Sequence, residues 1–279
     1  MLGRLQLRTE KYSRVNFRKR IVGILARFIK KVGSLMPFKL TMGLARLLLE
    51  SQGFGSGARI DSSGEIRAAQ QFLSGTHERA LVVLDIGANR GEYTEAILKV
   101  FPGATVHAFE PSTETYSLLR TSLRNQKNVQ LHNFALGNVN DRVPLYKENH
   151  HARIASLSPL DVTKDHLTEQ VQIHRLDDIF KTLGLRQVDL AKIDVEGHEM
   201  DVLLGAEQAI KSRKISHLQF ELGGSSIDTN TTLKMFFEFL SEYRYDLFLI
   251  RKSGPLHLSS YKYLYEQYST TNFFAALRA

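Results

Sequence analysis

The chain has 279 residues, enough for one large α/β domain with an appendage. Its 43% hydrophobic and 24% charged content is that of an ordinary globular protein, and with no cysteine it excludes disulfides, thiolate nucleophiles and cysteine-ligated zinc. The formal charge of +8 is unevenly placed: residues 1–50 hold 12 of the 37 Lys and Arg but only Glu10 and Glu50 among the 29 acids, a net +10 that leaves −2 for the rest. A body of that charge offers no basic groove, so no nucleic-acid partner is expected.

Residues 1–57 read as a basic, largely helical arm and linker, and residues 58–279 as the main domain. In the arm, Ile21, Leu25, Phe28, Ile29 and Val32 recur at helical spacing, while Arg18, Arg20, Arg27 and Lys31 fall largely on other faces. Its apolar stretches, Ile21–Ala26 and Val32–Phe38, are broken by Arg27, Lys30 and Lys31. They fall short of the roughly 18–20 apolar residues that span a bilayer, and no small-residue cleavage site marks a signal peptide. Two readings stand side by side: peripheral contact with an anionic membrane, or a helical cap on the main domain. An organelle-targeting segment is a third and weaker one. A cytoplasmic location is the expectation, and the membrane reading of the arm would place the protein at the inner face of the membrane. Ser51-Gln52-Gly53-Phe54-Gly55-Ser56-Gly57 reads as a loop or linker.

From about residue 80, strand and helix patterns alternate, which predicts a mostly parallel sheet. Leu81–Ile86 is a continuous apolar run, as in a strand buried on both faces. Glu92–Phe101 reads as helix, Ala104–Phe109 as strand, Ser112–Gln126 as helix and Val129–Phe134 as strand. Asn138–Glu169 is polar and turn-rich, an excursion from the sheet with one short strand at Val143–Tyr146. Asp189–Val195 and Ile215–Leu222 are strands flanking a helix at Glu199–Ile210, and Thr232–Ser241 is a further helix. Tyr245–Ile250 and Asn272–Leu277 read as late antiparallel strands. Seven main strands with a terminal hairpin suit the methyltransferase variant of the Rossmann-like, doubly wound sheet.

The strongest chemical signal is Asp85-Ile86-Gly87-Ala88-Asn89-Arg90-Gly91-Glu92-Tyr93-Thr94, which follows a buried strand and opens a helix. Gly87 lets the backbone turn and approach a ligand closely. Asn89 and Glu92 have capping-box spacing. The glycines are spaced Gly87-x-x-x-Gly91 rather than G-x-G-x-x-G, and an acid precedes the first. A carboxylate there would repel a diphosphate, but it suits the cationic amino group of S-adenosylmethionine. Glu110, 25 residues beyond Asp85 in Phe109-Glu110-Pro111, is placed to accept ribose hydroxyls. That element fits an adenosine of either NAD or S-adenosylmethionine. A bare turn and a solvated acid are the bland alternatives.

A third element, Lys192-Ile193-Asp194-Val195-Glu196-Gly197-His198-Glu199, ends a strand where ligands gather in parallel sheets, and Glu221 ends the next. Asp194, Glu196 and Glu221 are the candidate catalytic groups, for binding an acceptor hydroxyl or accepting its proton. A hard divalent cation on these carboxylates is a further option, although no metal site is assigned. Helix-terminal placement alone would account for Glu196 and Glu199. His198 is a candidate base or an ordinary surface histidine, and His150 and His151 read as solvated.

As a set, Asp85–Thr94, Phe109–Pro111, Leu176-Asp177, Lys192–Glu199, and Leu203-x-Gly205-Ala206 resemble the FkbM-family methyltransferases. Gln219–Gly224 and Thr271–Ala275 are similar to the carboxyl-terminal part of one branch of that family. The resemblance covers roughly residues 80–279. It implies S-adenosylmethionine-dependent O-methylation, often of sugars, with cofactor contacts at Asp85, Gly87, Asn89, Glu110 and Asp194; Gly91 joins them from the glycine motif. The acceptor expected is a sugar or glycan. The rival classes are a nicotinamide-dependent oxidoreductase, disfavoured by the glycine spacing, and a binding module that keeps the fold without catalysis. Methyl transfer to RNA is a rival within the enzyme class.

Overall fold

A computed structural model describes residues 22–57, 59–75, 79–147, 155–158 and 167–278. Arg18, Arg20, Ile21, His150 and His151 lie outside the described residues. The chain divides into two compact units, Met1–Leu49 and Glu50–Ala279.

Twelve strands are described in the larger unit: β1 (Val82–Ile86), β2 (Thr105–Phe109), β3 (Val129–His132), β4 (Ala135–Gly137), β5 (Asp141–Lys147), β6 (Ala155–Ser156), β7 (Leu167–Arg175), β8 (Leu190–Ile193), β9 (His217–Leu222), β10 (Tyr245–Leu249), β11 (Leu256–His257) and β12 (Thr271–Leu277). Eight form one sheet in the order β11-β10-β12-β9-β8-β1-β2-β3. β3, β2, β1, β8 and β9 run parallel, and β12 slots antiparallel between β9 and β10. The α/β class and the antiparallel late pair are as the sequence leads one to expect. The eighth strand is the two-residue β11 on the edge.

β1 and β8 sit centrally, and their apolar runs are buried because helices cover the sheet. Helix Glu65–Leu73 packs Ala68, Ala69 and Leu73 with Ile97 and Leu98 of helix Glu92–Val100 against Val83, Val106 and Phe274. Helix Thr113–Ser122 begins where the Ser112 hydroxyl accepts the Thr115 N–H, and its Leu119 packs with Ala88 and Ala108. Helix Leu233–Glu242 is capped the same way by Thr232 and stacks Phe236 on Phe220 at 4.5 Å.

Four expectations need correction. The polar excursion is a second, four-stranded sheet in the order β4-β7-β5-β6, of which only part of β5 was legible. The helix foreseen over Glu199–Ile210 is two helices, Glu199–Gly205 and Glu207–Lys211. The break falls at Ala206, just after Gly205 meets β4 so closely that a Cβ there would lie 1.8 Å from the Gly137 carbonyl oxygen. The segment Ser51–Gly57 is no free linker: Gly57 donates its N–H to the Thr270 carbonyl, Gly55 donates to the Thr271 hydroxyl, and Phe54 is buried against Tyr265. The capping box does not form either. Gly91, at φ 89°, is the N-cap of Glu92–Val100 and no side chain caps it, because the chain reaches the helix through left-handed residues.

Candidate cofactor and acceptor site

Two concavities open at the carboxyl ends of β1, β2 and β8, the edge where ligands collect in such sheets. The first is walled by Phe109, Glu110, Phe134, Leu136, Leu145 and Leu157. The second is a cleft of about 1060 Å³ that includes Glu65, Tyr93, Lys192 and Glu221. Gly87, Asn89, Asp194 and Glu196 line both.

The loop after β1 is held tightly. Gly87 adopts φ 85°, and a Cβ on it would lie 1.8 Å from the Asp194 carbonyl oxygen, so only glycine lets the β1 and β8 loops meet. The N–H groups of Gly87 and Ala88 donate to the Phe109 carbonyl, that of Asn89 to the Glu110 carboxylate, and that of Gly91 to the Ala88 carbonyl. A diphosphate-binding loop keeps such amides free for its ligand. Here four of them are engaged within the protein. Glu110 is buried, its oxygens accepting from the N–H groups of Asn89 at 3.0 Å and Ser112 at 2.9 Å. Burial nevertheless pushes its carboxyl up to about 7, with those two N–H groups pulling it back.

The second sheet builds the far wall of the first cavity. β5 and the β6 segment supply Leu145, Ala155 and Leu157. Lys147 of β5 donates to the Ser112 hydroxyl at 3.2 Å and pairs with Glu169 of β7 at 2.9 Å, and Glu169 also accepts the Thr113 N–H. Two strands are thereby fastened to the helix start beside Glu110.

In the cleft, buried Lys192 pairs with Asp194 at 2.6 Å. Burial alone would lower the Lys192 pKa, but Asp194, Asp85 and Glu65 outweigh it and hold the ammonium charged. Glu65 accepts from the Ser63 hydroxyl and from Gln219, whose side-chain oxygen accepts from the Tyr93 hydroxyl. Glu196 has φ 54°, uncommon for a residue with a side chain. Burial and then the Asp194 charge push its carboxyl up to about 7. The same two causes, in the same order, push Glu221 up to about 9. Among the described residues no group of three or more His, Asp or Glu side chains is arranged to hold a metal ion.

The family profile described as "Methyltransferase FkbM domain" matches residues 85–247, more than half of the chain. The chain belongs to the FkbM methyltransferase family. Residues of this FkbM enzyme are 27% identical over 203 positions to the 2-O-methyltransferase NoeI of Sinorhizobium fredii, covering 68% of this chain and 82% of that protein. They are 28% identical over 156 positions to the 31-O-demethyl-FK506 methyltransferase FkbM of Streptomyces tacrolimicus, covering 46% and 60%. A crystal structure of methyltransferase FkbM from Methylobacillus flagellatus aligns with a TM-score of 0.46 at 20% identity, over 74% of this chain and 47% of that one. The chain is an S-adenosylmethionine-dependent methyltransferase. The oxidoreductase and the non-catalytic module fall away as readings.

Not every FkbM residue foreseen from sequence stands on a cavity wall. Gly87, Asn89, Glu110 and Asp194 do. Asp85 lies fully buried beneath the loop, where its Oδ2 accepts from the Thr94 hydroxyl at 2.6 Å and its Oδ1 has no hydrogen-bond partner. Gly91 faces Leu119 and Leu123, so its missing Cβ serves helix packing. Glu196 and Glu221 face the cleft. Glu199 turns back to accept the N–H groups of Val195 and Gly197, both at 3.1 Å, and so braces the loop that carries Glu196. His198 is held between the Ser158 hydroxyl at 3.0 Å and Asp201 at 2.8 Å. Glu65 and Gln219 were not foreseen as site residues: one acid in an amphipathic helix carries no signal of which strand end it will meet.

Proposed function

We propose that this enzyme transfers the methyl group of S-adenosylmethionine to a hydroxyl of a sugar, in a glycan, polysaccharide or glycosylated metabolite. The observation that carries the reading is the shared wall. Asp194 and Glu196 line the cavity holding Glu110 and also the carboxylate-lined cleft holding Glu221. The names of two relatives, a 2-O-methyltransferase and a 31-O-demethyl-FK506 methyltransferase, support hydroxyl oxygen as the acceptor.

The residues present fit the cofactor. Glu110, pre-set by two backbone N–H groups, would take the ribose hydroxyls, with Phe109, Phe134 and Leu136 as apolar walls for the base. The Gly87–Asn89 turn would lie along the methionine portion. When bound, S-adenosylmethionine supplies a methyl group on a positively charged sulfur, ready for in-line displacement. The protein's own work is positioning and proton management. Glu196, poised near neutrality, is the group that accepts the acceptor's hydroxyl proton. Glu221 is protonated at neutral pH and donates a hydrogen bond to a sugar oxygen. Lys192 holds Asp194 in place beside them. A neutral, polyhydroxylated acceptor suits a cleft where carboxyls both give and take hydrogen bonds.

The test is mass spectrometry of glycans from cells with and without the gene. Loss of one methyl increment from a sugar supports the proposal, and an unchanged glycan pool with a changed RNA or peptide pool contradicts it.

A further inference from the structure

Residues 22–35 are helical, and Phe38–Ser51 form a second helix after Pro37. In the first, Leu25, Phe28, Ile29, Val32 and Leu35 share one sector, and Arg27, Lys30, Lys31 and Ser34 share the opposite one. In the second, Lys39, Gly43, Arg46 and Glu50 make a narrow polar stripe, and Phe38, Leu40, Leu44, Leu47 and Leu48 occupy most of the remaining circumference. None of these apolar side chains is buried: Phe28 is 64% exposed, Leu35 80% and Leu47 63%. Apolar sectors this long and continuous mark an interaction surface.

Charge selects the occupant. The first 50 residues carry a net +10 and the rest of the chain −2. An apolar groove on a partner protein would satisfy the apolar sectors but leave those cations unexplained. A second copy would set +10 against +10. We infer that the two helices are an interfacial anchor, lying in the headgroup layer of an anionic bilayer. Their apolar sectors face the acyl chains, and Arg27, Lys30, Lys31, Lys39 and Arg46 sit at the level of the lipid phosphates. Among the described residues no helix is long and apolar enough to cross a membrane, so the anchor lies on the surface. The inference stands whichever hydroxyl the enzyme methylates.

The experiment is density-gradient flotation of the full chain with vesicles of phosphatidylcholine alone or mixed with phosphatidylglycerol, at low and high salt. Wild-type protein is expected to float with the anionic vesicles, about tenfold or more better than with neutral ones, and to lose most of that preference in high salt. Two variants separate the contributions: Leu25→Asp with Phe28→Asp removes apolar contact, and Arg27→Glu with Lys30→Glu and Lys31→Glu reverses charge. Each should lower flotation by about tenfold or more. Unchanged calorimetric affinity for S-adenosylhomocysteine in both shows that the catalytic domain remains folded. Absence of flotation with either vesicle, or equal flotation with both, overturns the inference. So does a discrete wild-type dimer in analytical ultracentrifugation that Leu25→Asp with Phe28→Asp dissolves, which would assign the apolar sectors to a second copy.

Discussion

Burial and then the Asp194 charge raise both Glu196 and Glu221, and Glu221, which also feels Glu196 and Glu65, is raised further, so the proposed mechanism gives the two carboxyls opposite proton roles at neutral pH. Ionisation of Glu196 should make kcat/KM rise with pH through about 7. Ionisation of Glu221 should make it fall above about 9. A pH–rate profile of Glu221→Gln that keeps the acid limb and loses the alkaline one checks the assignment; an unaltered bell removes Glu221 from it. In the proposed site Glu110 belongs to the cofactor side. We expect Glu110→Ala to weaken S-adenosylhomocysteine binding by about 1–3 kcal/mol, the cost of losing a charged hydrogen-bond acceptor. Calorimetry on the folded variant reads this directly, and unchanged affinity would remove Glu110 from the cofactor site. At this scale the motif spacing disclosed Gly87, Asn89, Glu110 and the Asp194–Glu196 pair as wall residues. It could not distinguish them from Asp85, Gly91 and Glu199, because whether a side chain faces a cavity, a neighbouring helix or its own loop depends on backbone turns that residue type alone does not encode.

The site rests on a few close backbone approaches between elements. Helix Glu199–Gly205 ends against β4, where Gly205 faces the Gly137 carbonyl. Gly205→Ala should force the two elements apart, lowering stability by roughly 1–3 kcal/mol, as overpacking does. Thermal denaturation measures it, and an unchanged midpoint would show that the junction yields freely. Elements of the main sheet were legible because their strands are continuous apolar runs and their helices start at Ser112 and Thr232. The second sheet was not. In β7, only Val171 and Ile173 are buried, amid Thr168, Glu169, Gln170, Gln172 and His174, so its two-residue period is faint. Its partners sit across long polar connections, and pairing of that kind leaves little local trace.

Across the molecule, several carboxyls are raised by folding: Glu110, Glu196 and Glu199 to about 7, and Glu221 to about 9, against roughly 4.3 for an unfolded glutamate. The native state therefore binds more protons than the unfolded state above the unfolded value, and stability falls as pH rises through the folded values. His107 and His132 are lowered by burial and act oppositely, but only below about 6.5. From pH 7 to 9 Glu221 should dominate, removing roughly 2 kcal/mol from the cofactor-free enzyme at about 1.4 kcal/mol per pH unit. Chemical denaturation of wild type and Glu221→Gln at both ends of that range checks it, since the variant should show a flatter dependence. A wild type that gains stability over the same range would show that folding does not raise the Glu221 carboxyl. Methyl transfer to a sugar hydroxyl, with Glu196 accepting the proton, is tested by incubating the enzyme with methyl-tritiated S-adenosylmethionine and a glycan fraction from its own cells. Label should be released by acid hydrolysis as an O-methyl monosaccharide, with Glu196→Gln binding S-adenosylhomocysteine normally yet transferring at least about a hundredfold less. Label recovered in RNA or peptide, or full transfer by Glu196→Gln, would contradict it.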